Sequence, residues 1–328
     1  MAPRPGHRDP GAALTAGEGP LVTALCGGVG AARFLSGLVD VVDPHRVVAV
    51  VNTGDDALLH GLHVSPDLDT VTYTLAGAIS RERGWGLEGE TWTTMEALAR
   101  YPSRLSWFGL GDRDLATHLF RTQRLADGAS LSTVTGEITA AWGVQVSVVP
   151  VTDDRVETLM DVEDEGEISF QDYFVRRAHD VVVRGVRFRG ADAARPAPGV
   201  LDAVATAGVV VICPSNPIVS IGPLLAVPGV REVVTASRDR VVAVSPIVAG
   251  AALKGPAGRL LAEQGHEVSV VGVARLYAPL AATLVVDEAD AALAPAVESA
   301  GMRCLVTPTV MRGPEEAAAL ARAVVDAA

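Results

Sequence analysis

The sequence predicts an α/β fold, a parallel-sheet core with an inserted smaller cap region, and three observations lead there. Hydrophobic residues make up 49% of the 328 but aromatics only 4%, so the interior must be built from Ala, Val and Leu, as when β-branched strands alternate with alanine-rich helices. Short apolar runs recur along the chain, each ending in a Gly, Pro, Asn or Asp loop and leading into a further loop or helical pattern. Between residues 144 and 199 this alternation gives way to short strand-like segments separated by acidic turns, read as a β-rich cap.

Residues 21–26 are a short apolar run that ends in Gly27-Gly28-Val29-Gly30 and enters a helical pattern at 31–39, the signature of strand, glycine turn and helix. A second strand at 46–51 ends at Asn52-Thr53-Gly54-Asp55-Asp56, so a first βαβ unit delivers two polar loops to one sheet edge. Residues 69–83 carry helical periodicity after a Ser-Pro-Asp start, and 91–99 and 114–124 predict further helices. In the cap, 145–149, 167–170 and 180–183 read as strands. Parallel-sheet character returns at 208–213, 240–245 and 268–273, and strands at 283–286 and 303–306 with a helix at 314–327 complete the alternation. The expected division is a flexible tail over 1–20, a first core segment over 21–143, the cap over 144–199 and a second core segment over 200–328.

The formal net charge of −12 argues against nucleic-acid or anionic-membrane surfaces, which need clustered Lys and Arg. A polyanionic substrate would need local help from backbone N–H groups, a few placed cationic side chains, or a divalent cation on carboxylates. Cys26, Cys213 and Cys304 are far apart and form no C-x-x-C pair, so neither a disulfide framework nor a structural zinc site is expected, and a cytoplasmic location fits. Residues 1–20 lack the apolar stretch of a secretion signal, and no later run has the length and continuity of a membrane span.

The turn holding Gly27, Gly28 and Gly30 lets the backbone approach an anion at the positive end of the next helix. The same glycines also suit any tight strand-to-helix turn, and the Lys-Ser/Thr ending of a P-loop is missing. Asp55 and Asp56 after one strand, with Asp67 and Asp69 after the Ser65-Pro66 turn, offer the hard oxygen ligands that Mg²⁺ takes. Any of them could instead cap a helix. Asp112 and Arg113 put a carboxylate beside a fixed cation that suits a phosphate or an ordinary surface ion pair, and the nearby His118 is more often structural than catalytic. Ser215 and Asn216, then Lys254 and Gly255, follow strands and sit where open α/β sheets form crevices, although each pair is also ordinary turn chemistry.

In their order, GGVGAARF, NTGDD, SPDLDTV, GDRDLATH, TDDRVET, FQDYFV, CPSNPIVSIGP and SPIVAGAALKGPAG resemble the 2-phospho-L-lactate transferase family from about residue 21 to the C-terminus. The resemblance implies a Rossmann-like three-layer α/β core, a homodimer, and Mg²⁺ as cofactor. It further implies that a guanosine diphosphate-linked three-carbon acid is the donor and the deazaflavin Fo the acceptor, with GMP leaving, in coenzyme F420 biosynthesis. The Ala- and Arg-rich composition and the GGVGAARF wording resemble the actinobacterial type, which uses enolpyruvoyl- rather than lactyl-diphospho-guanosine. On this pattern Asp55, Asp67 and Asp69 are expected to hold the metal, and Asp67, Asp69 and Arg113 to serve catalysis. Gly27, Gly28, Gly30, Asp56, Asp112, Ser215, Asn216, Lys254 and Gly255 are expected to bind substrate. Trp85, Trp92, Trp107 and Phe108 could wall the deazaflavin ring or simply be core.

Two other classes compete. A nicotinamide-dependent oxidoreductase would use the first glycine turn, but G-G-V-G-A-A is out of frame with G-x-G-x-x-G, and Asp55-Asp56 suits a metal better than a ribose. A nucleotide-sensing regulator could share the scaffold, since fold does not fix function. The full series of later motifs favours catalysis.

Overall fold

The computed structural model describes residues 21–102 and 107–328, and the tail expected over 1–20 lies outside them. In chain order the strands are β1 (Val22–Cys26), β2 (Val47–Val51), β3 (Ala57–Leu59), β4 (Leu62–Val64), β5 (Ser147–Pro150), β6 (Glu157–Val162), β7 (Gly166–Ser169), β8 (Val183–Arg189), β9 (Val209–Ile212), β10 (Val241–Val244), β11 (Ile247–Val248), β12 (Ala251–Ala252), β13 (Thr283–Val286) and β14 (Arg303–Val306). The α-helices are α1 (Val29–Leu38), α2 (Pro66–Leu75), α3 (Thr93–Leu98), α4 (Asp114–Ala126), α5 (Leu131–Ala141), α6 (Val200–Thr206), α7 (Gly222–Ala226), α8 (Val230–Ala236), α9 (Ala257–Glu263), α10 (Val270–Tyr277), α11 (Ala294–Ser299) and α12 (Pro314–Asp326).

Among the described residues, a seven-stranded sheet runs β14-β13-β10-β9-β1-β2-β5 with every neighbouring pair parallel. Its central strands are covered on both faces, so β1, β2, β9 and β10 are buried at every position and read as unbroken apolar runs. On one face Phe34, Leu35 and Leu38 of α1 pack with Leu68 of α2 and Leu320 and Val324 of α12. On the other, Val200 of α6, Leu224 of α7, Val230 of α8 and Val273 of α10 cover Leu25, Val210 and Ile212. Fully burying one such Leu, Val or Phe is worth roughly 1.5–3 kcal/mol, so these two apolar layers dominate the favourable side of folding.

This covering fixes where the loops meet. β1 passes through α1 to β2 on its one side, while its other neighbour, β9, leads through α7 and α8 on the opposite face to β10. The direction of winding therefore switches between β1 and β9, and the loops that leave their carboxyl ends share one crevice.

The smaller unit is an antiparallel sheet in the order β7-β6-β8, with Met160, Val162, Phe170, Tyr173 and Val183 packed on Val219 and Leu260. Three sequence expectations change in the structure. The segment at 145–149, expected in the cap, supplies β5, which pairs with β2 as an edge strand of the main sheet. The strand expected at 180–183 begins at Val183 and runs on to Arg189. Residues 268–273, expected as a strand, instead open α10, because the Ser269 hydroxyl accepts from the Val271 and Gly272 N–H groups as an N-cap. A buried Val-rich helix start and a buried strand share the same apolar run, so periodicity alone does not separate them.

Among the described residues no single helix is long and apolar enough to cross a membrane. The bent pair Pro217–Ala226 and Val230–Ala236 carries enough apolar residues by length and composition, turns by 98°, and buries Ile221, Leu224, Val230 and Val234 in the sheet core.

Candidate active site

The acidic residues meet because of a hairpin. β3 and β4 pair antiparallel with Ala57 opposite Val64, across a turn at His60 and Gly61 that both take positive φ (53° and 79°), the two-residue geometry that matches strand twist. Residues 56 and 65 therefore come back side by side, and the Ser65 hydroxyl donates to Asp56 Oδ2 at 2.6 Å. Ser65 stands at the N-cap of α2 with Pro66 behind it, so Asp67 and Asp69 fall in the helix's first turn, where the dipole favours carboxylates.

Asp67 is aimed from two sides. Its Oδ2 accepts from the Asn52 amide at 3.0 Å, and the Asn52 carbonyl oxygen accepts from the Gly54 N–H at 2.8 Å, so a fully buried asparagine ties the loop after β2 to α2. Its Oδ1 lies against the glycine turn, where a Cβ on Gly28 would come within 2.5 Å of it. The cap unit completes the loop from the far side: the Thr158 N–H donates to the Gly54 carbonyl at 2.7 Å, and the Gln171 amide donates to the Asp55 carbonyl at 2.8 Å.

The electrostatics record what this crowding costs. Burial first, then the charge of Asp67, pushes the Asp55 carboxyl well above the usual carboxylate range. Burial lifts Asp56 to about 8, against the lowering effect of the Ser65 hydrogen bond, and lifts Asp67 to about 6, against that of Asn52. One oxygen each of Asp55 and Asp56 is buried without a hydrogen-bond partner. Desolvated carboxylate oxygens with no hydrogen-bond partner suit a hard divalent cation, and by donor type Asp55, Asp56 and Asp67 fit Mg²⁺.

Asp69, expected among the metal ligands, is held elsewhere. Both of its oxygens face the buried Arg121 guanidinium, one through a short contact to Nη2 and the other 3.2 Å from Nη1. Arg121 Nη1 also lies 3.3 Å from His118 Nδ1, His118 Nε2 lies 3.3 Å from Asp114 Oδ2, and the Tyr73 hydroxyl donates to Asp114 Oδ1 at 2.6 Å. Asp69, Asp114 and His118 bring ligand atoms within 4.8 Å of one another, but the guanidinium seated on two of them opposes a cation there. His118 is thereby a structural member of a buried network joining α2 to α4.

The remaining expected residues separate into those at the crevice and those away from it. Ser215 Oγ accepts from the Gly27 N–H at 3.2 Å, and a Cβ on Gly30 would meet the Pro214 carbonyl oxygen at 2.1 Å, so the loops after β1 and β9 interlock. Asn216 turns its carbonyl oxygen to the Ile218 N–H at 2.9 Å and shapes its own loop. Asp112 accepts from Thr91, Thr93 and Thr94 and caps the start of α3, and these bonds hold its carboxyl below the usual range. Arg113 is exposed and donates to the Glu88 carbonyl. Lys254 is also exposed, with its ammonium beside Gly84, and Gly255 lies next to Phe174.

Trp85 and Trp92 meet edge-on at 6.0 Å under Arg83, which stands 5.5 Å from both rings, and Trp107 and Phe108 form a second edge-on pair at 5.8 Å. Sequence reasoning did not single out Asn52 or Arg121. The first had a signal in its place between a strand end and Asp55-Asp56. The second lies in an ordinary helical pattern with none.

The model of the family described as 2-phospho-L-lactate transferase CofD matches residues 22–303 of this chain. A protein of Kitasatospora aureofaciens named phosphoenolpyruvate transferase is 47% identical over 306 residues, 92% of this chain and 95% of that one. Proteins of the same name from Streptomyces griseus and Thermobifida fusca are 47% identical over 305 residues and 45% identical over 319, covering 92% and 94% of this chain and 96% and 97% of theirs. A crystal structure of a UPF0052-family protein from Bacillus halodurans matches with a TM-score of 0.60 at 17% identity, over 93% of this chain and 98% of that one, a likeness in fold.

Proposed function

The chain belongs to the 2-phospho-L-lactate transferase CofD family, and from that premise we propose that it transfers a phosphoenolpyruvyl group from enolpyruvoyl-diphospho-guanosine to the ribityl hydroxyl of Fo, releasing GMP. The relatives named phosphoenolpyruvate transferase at 45–47% identity support the enolpyruvoyl donor over the lactyl one. The observation that carries the reading is the buried carboxylate of Asp67, which lies against the glycine turn at the start of α1, with the buried carboxyls of Asp55 and Asp56 coupled to it electrostatically.

The proposed mechanism is mostly positioning and charge neutralisation, as phosphoryl transfer requires. The α1 N-terminus after Gly28 offers unpaired backbone N–H groups to a donor phosphate. Asp55 and Asp67 would hold Mg²⁺, which when bound would neutralise diphosphate charge. Asn52 keeps Asp67 turned toward that position, and Ser215, by accepting the Gly27 N–H, keeps the glycine turn against the loop after β9. Asn216, Lys254 and Gly255 remain proposed substrate contacts on neighbouring loops, and exposed Arg113 a contact at the rim. Trp85 and Trp92 are the pair we assign to stacking on the deazaflavin. A cytoplasmic homodimer is proposed with them. Magnesium-dependent GMP release from the donor in the presence of Fo tests the reading.

A further inference from the structure

Arg121 is the one buried arginine or lysine among the described residues. Burial would lower its guanidinium, and Asp69 foremost, with Asp56 and Tyr73, more than offsets this, so it stays charged inside the protein. A desolvated ion pair is weak as a source of stability, because an apolar pair of similar volume often does as well. Its geometry is the informative part. Arg121 reaches from α4 to two oxygens of Asp69 in the first turn of α2, to the His63 carbonyl of β4 at 3.3 Å, and to His118. Two residues earlier in that same turn, Asp67 is held by Asn52 from the opposite segment of chain. The turn is thus pinned at both ends, once by an amide and once by a planar fork that a lysine cannot copy.

We propose that Arg121 is a positioning residue for the carboxylate cluster: by clamping Asp69 it fixes the first turn of α2, and so fixes Asp67 toward the metal position. The inference rests on the reading that Asp55 and Asp67 hold a divalent cation. Removing such an outer support of a ligand is expected to weaken metal binding or activity by about 10–100-fold.

The test is a titration of the purified full chain with Mn²⁺ alone, read by electron paramagnetic resonance, beside steady-state kinetics. Arg121→Lys keeps the charge but loses the fork. It should bind Mn²⁺ about 10–100-fold more weakly and lose kcat by a similar factor, while KM for the guanosine-linked donor stays within about threefold. Arg124→Lys, on the same helix but paired with Glu137 at the surface, should match the wild type in every readout. If Arg121→Lys does not fold, the double variant Asp69→Asn/Arg121→Gln removes both buried charges together and should show the same loss of Mn²⁺ affinity. Wild-type Mn²⁺ affinity in the folded variant overturns the inference even where the transferase assay succeeds. A wild-type chain that binds Mn²⁺ but makes no product refutes the proposed reaction and leaves the inference to the titration. A wild-type chain that binds no Mn²⁺ refutes the metal reading and the inference together.

Discussion

The Asn52 amide donates to the Asp67 carboxylate at 3.0 Å, so a residue that ends one strand sets the direction of a side chain fifteen positions later. Replacing Asn52 with Ala removes that donor and strands the Gly54 N–H as well. Turnover should fall by about 10²-fold, as for any misplacement near the reacting groups. The stability cost should be about 1–3 kcal/mol, the penalty for unmet buried polar groups. Parallel kinetics and urea unfolding read both. Wild-type turnover in the variant would remove Asn52 from the site.

Two glycines in one turn should behave differently. A Cβ on Gly28 meets only the end of the Asp67 side chain, whereas on Gly30 it meets the Pro214 backbone. Gly28→Ala should therefore fold nearly as well as the wild type and lose turnover by about 10²-fold through displaced Asp67. Gly30→Ala should lose roughly 1–3 kcal/mol of stability through overpacking. Melting temperature and kcat for the pair decide it, and equal destabilisation in both would contradict the distinction.

Asp67→Asn should separate stability from function. The carboxyl is raised to about 6 chiefly by burial, so its charge opposes folding near neutral pH. The amide should leave the metal-free chain as stable or slightly more so, while turnover collapses, the trade expected at a strained functional site. A loss of stability as large as the loss of activity would refute this.

The pH dependence follows from the same groups. In the metal-free chain Asp67 and Asp56 stand at about 6 and about 8, above the ordinary 3.8. A carboxyl raised by folding keeps protons that the unfolded chain has already released, so its contribution to stability is full below about pH 4 and is lost as pH rises through the folded values. The chelated protein should melt lower at about pH 8.5 than at about pH 5.5, and Mg²⁺ should raise the melting temperature more at the higher pH, where it no longer competes with protons. Calorimetry with and without chelator measures this. Equal Mg²⁺ shifts at both values would contradict it.

Much of the sheet was legible because short runs rich in Val and other apolar residues, such as 47–51 and 283–286, each ending in a loop, have few alternatives. The helix at 270–277 was not, since a buried helix start and a buried strand look alike until Ser269 is seen to cap one of them. In the site, the types of residue were readable and their pairings were not. Asp67 and Asp69 stand in one helical turn, yet one faces Asn52 and the other faces an arginine 52 residues away. Asp112 has the look of a ligand contact and spends its oxygens on the start of α3. Such partnerships depend on how helices pack, which local patterns do not encode.

The most direct test of the proposed transfer is mass spectrometry of the purified chain with Fo, Mg²⁺ and either enolpyruvoyl- or lactyl-diphospho-guanosine, following GMP and the deazaflavin product. GMP release and a dehydro product are expected from the enolpyruvoyl donor, both abolished by chelator and by Asp67→Asn. No product from either donor, or turnover indifferent to chelator, would contradict it.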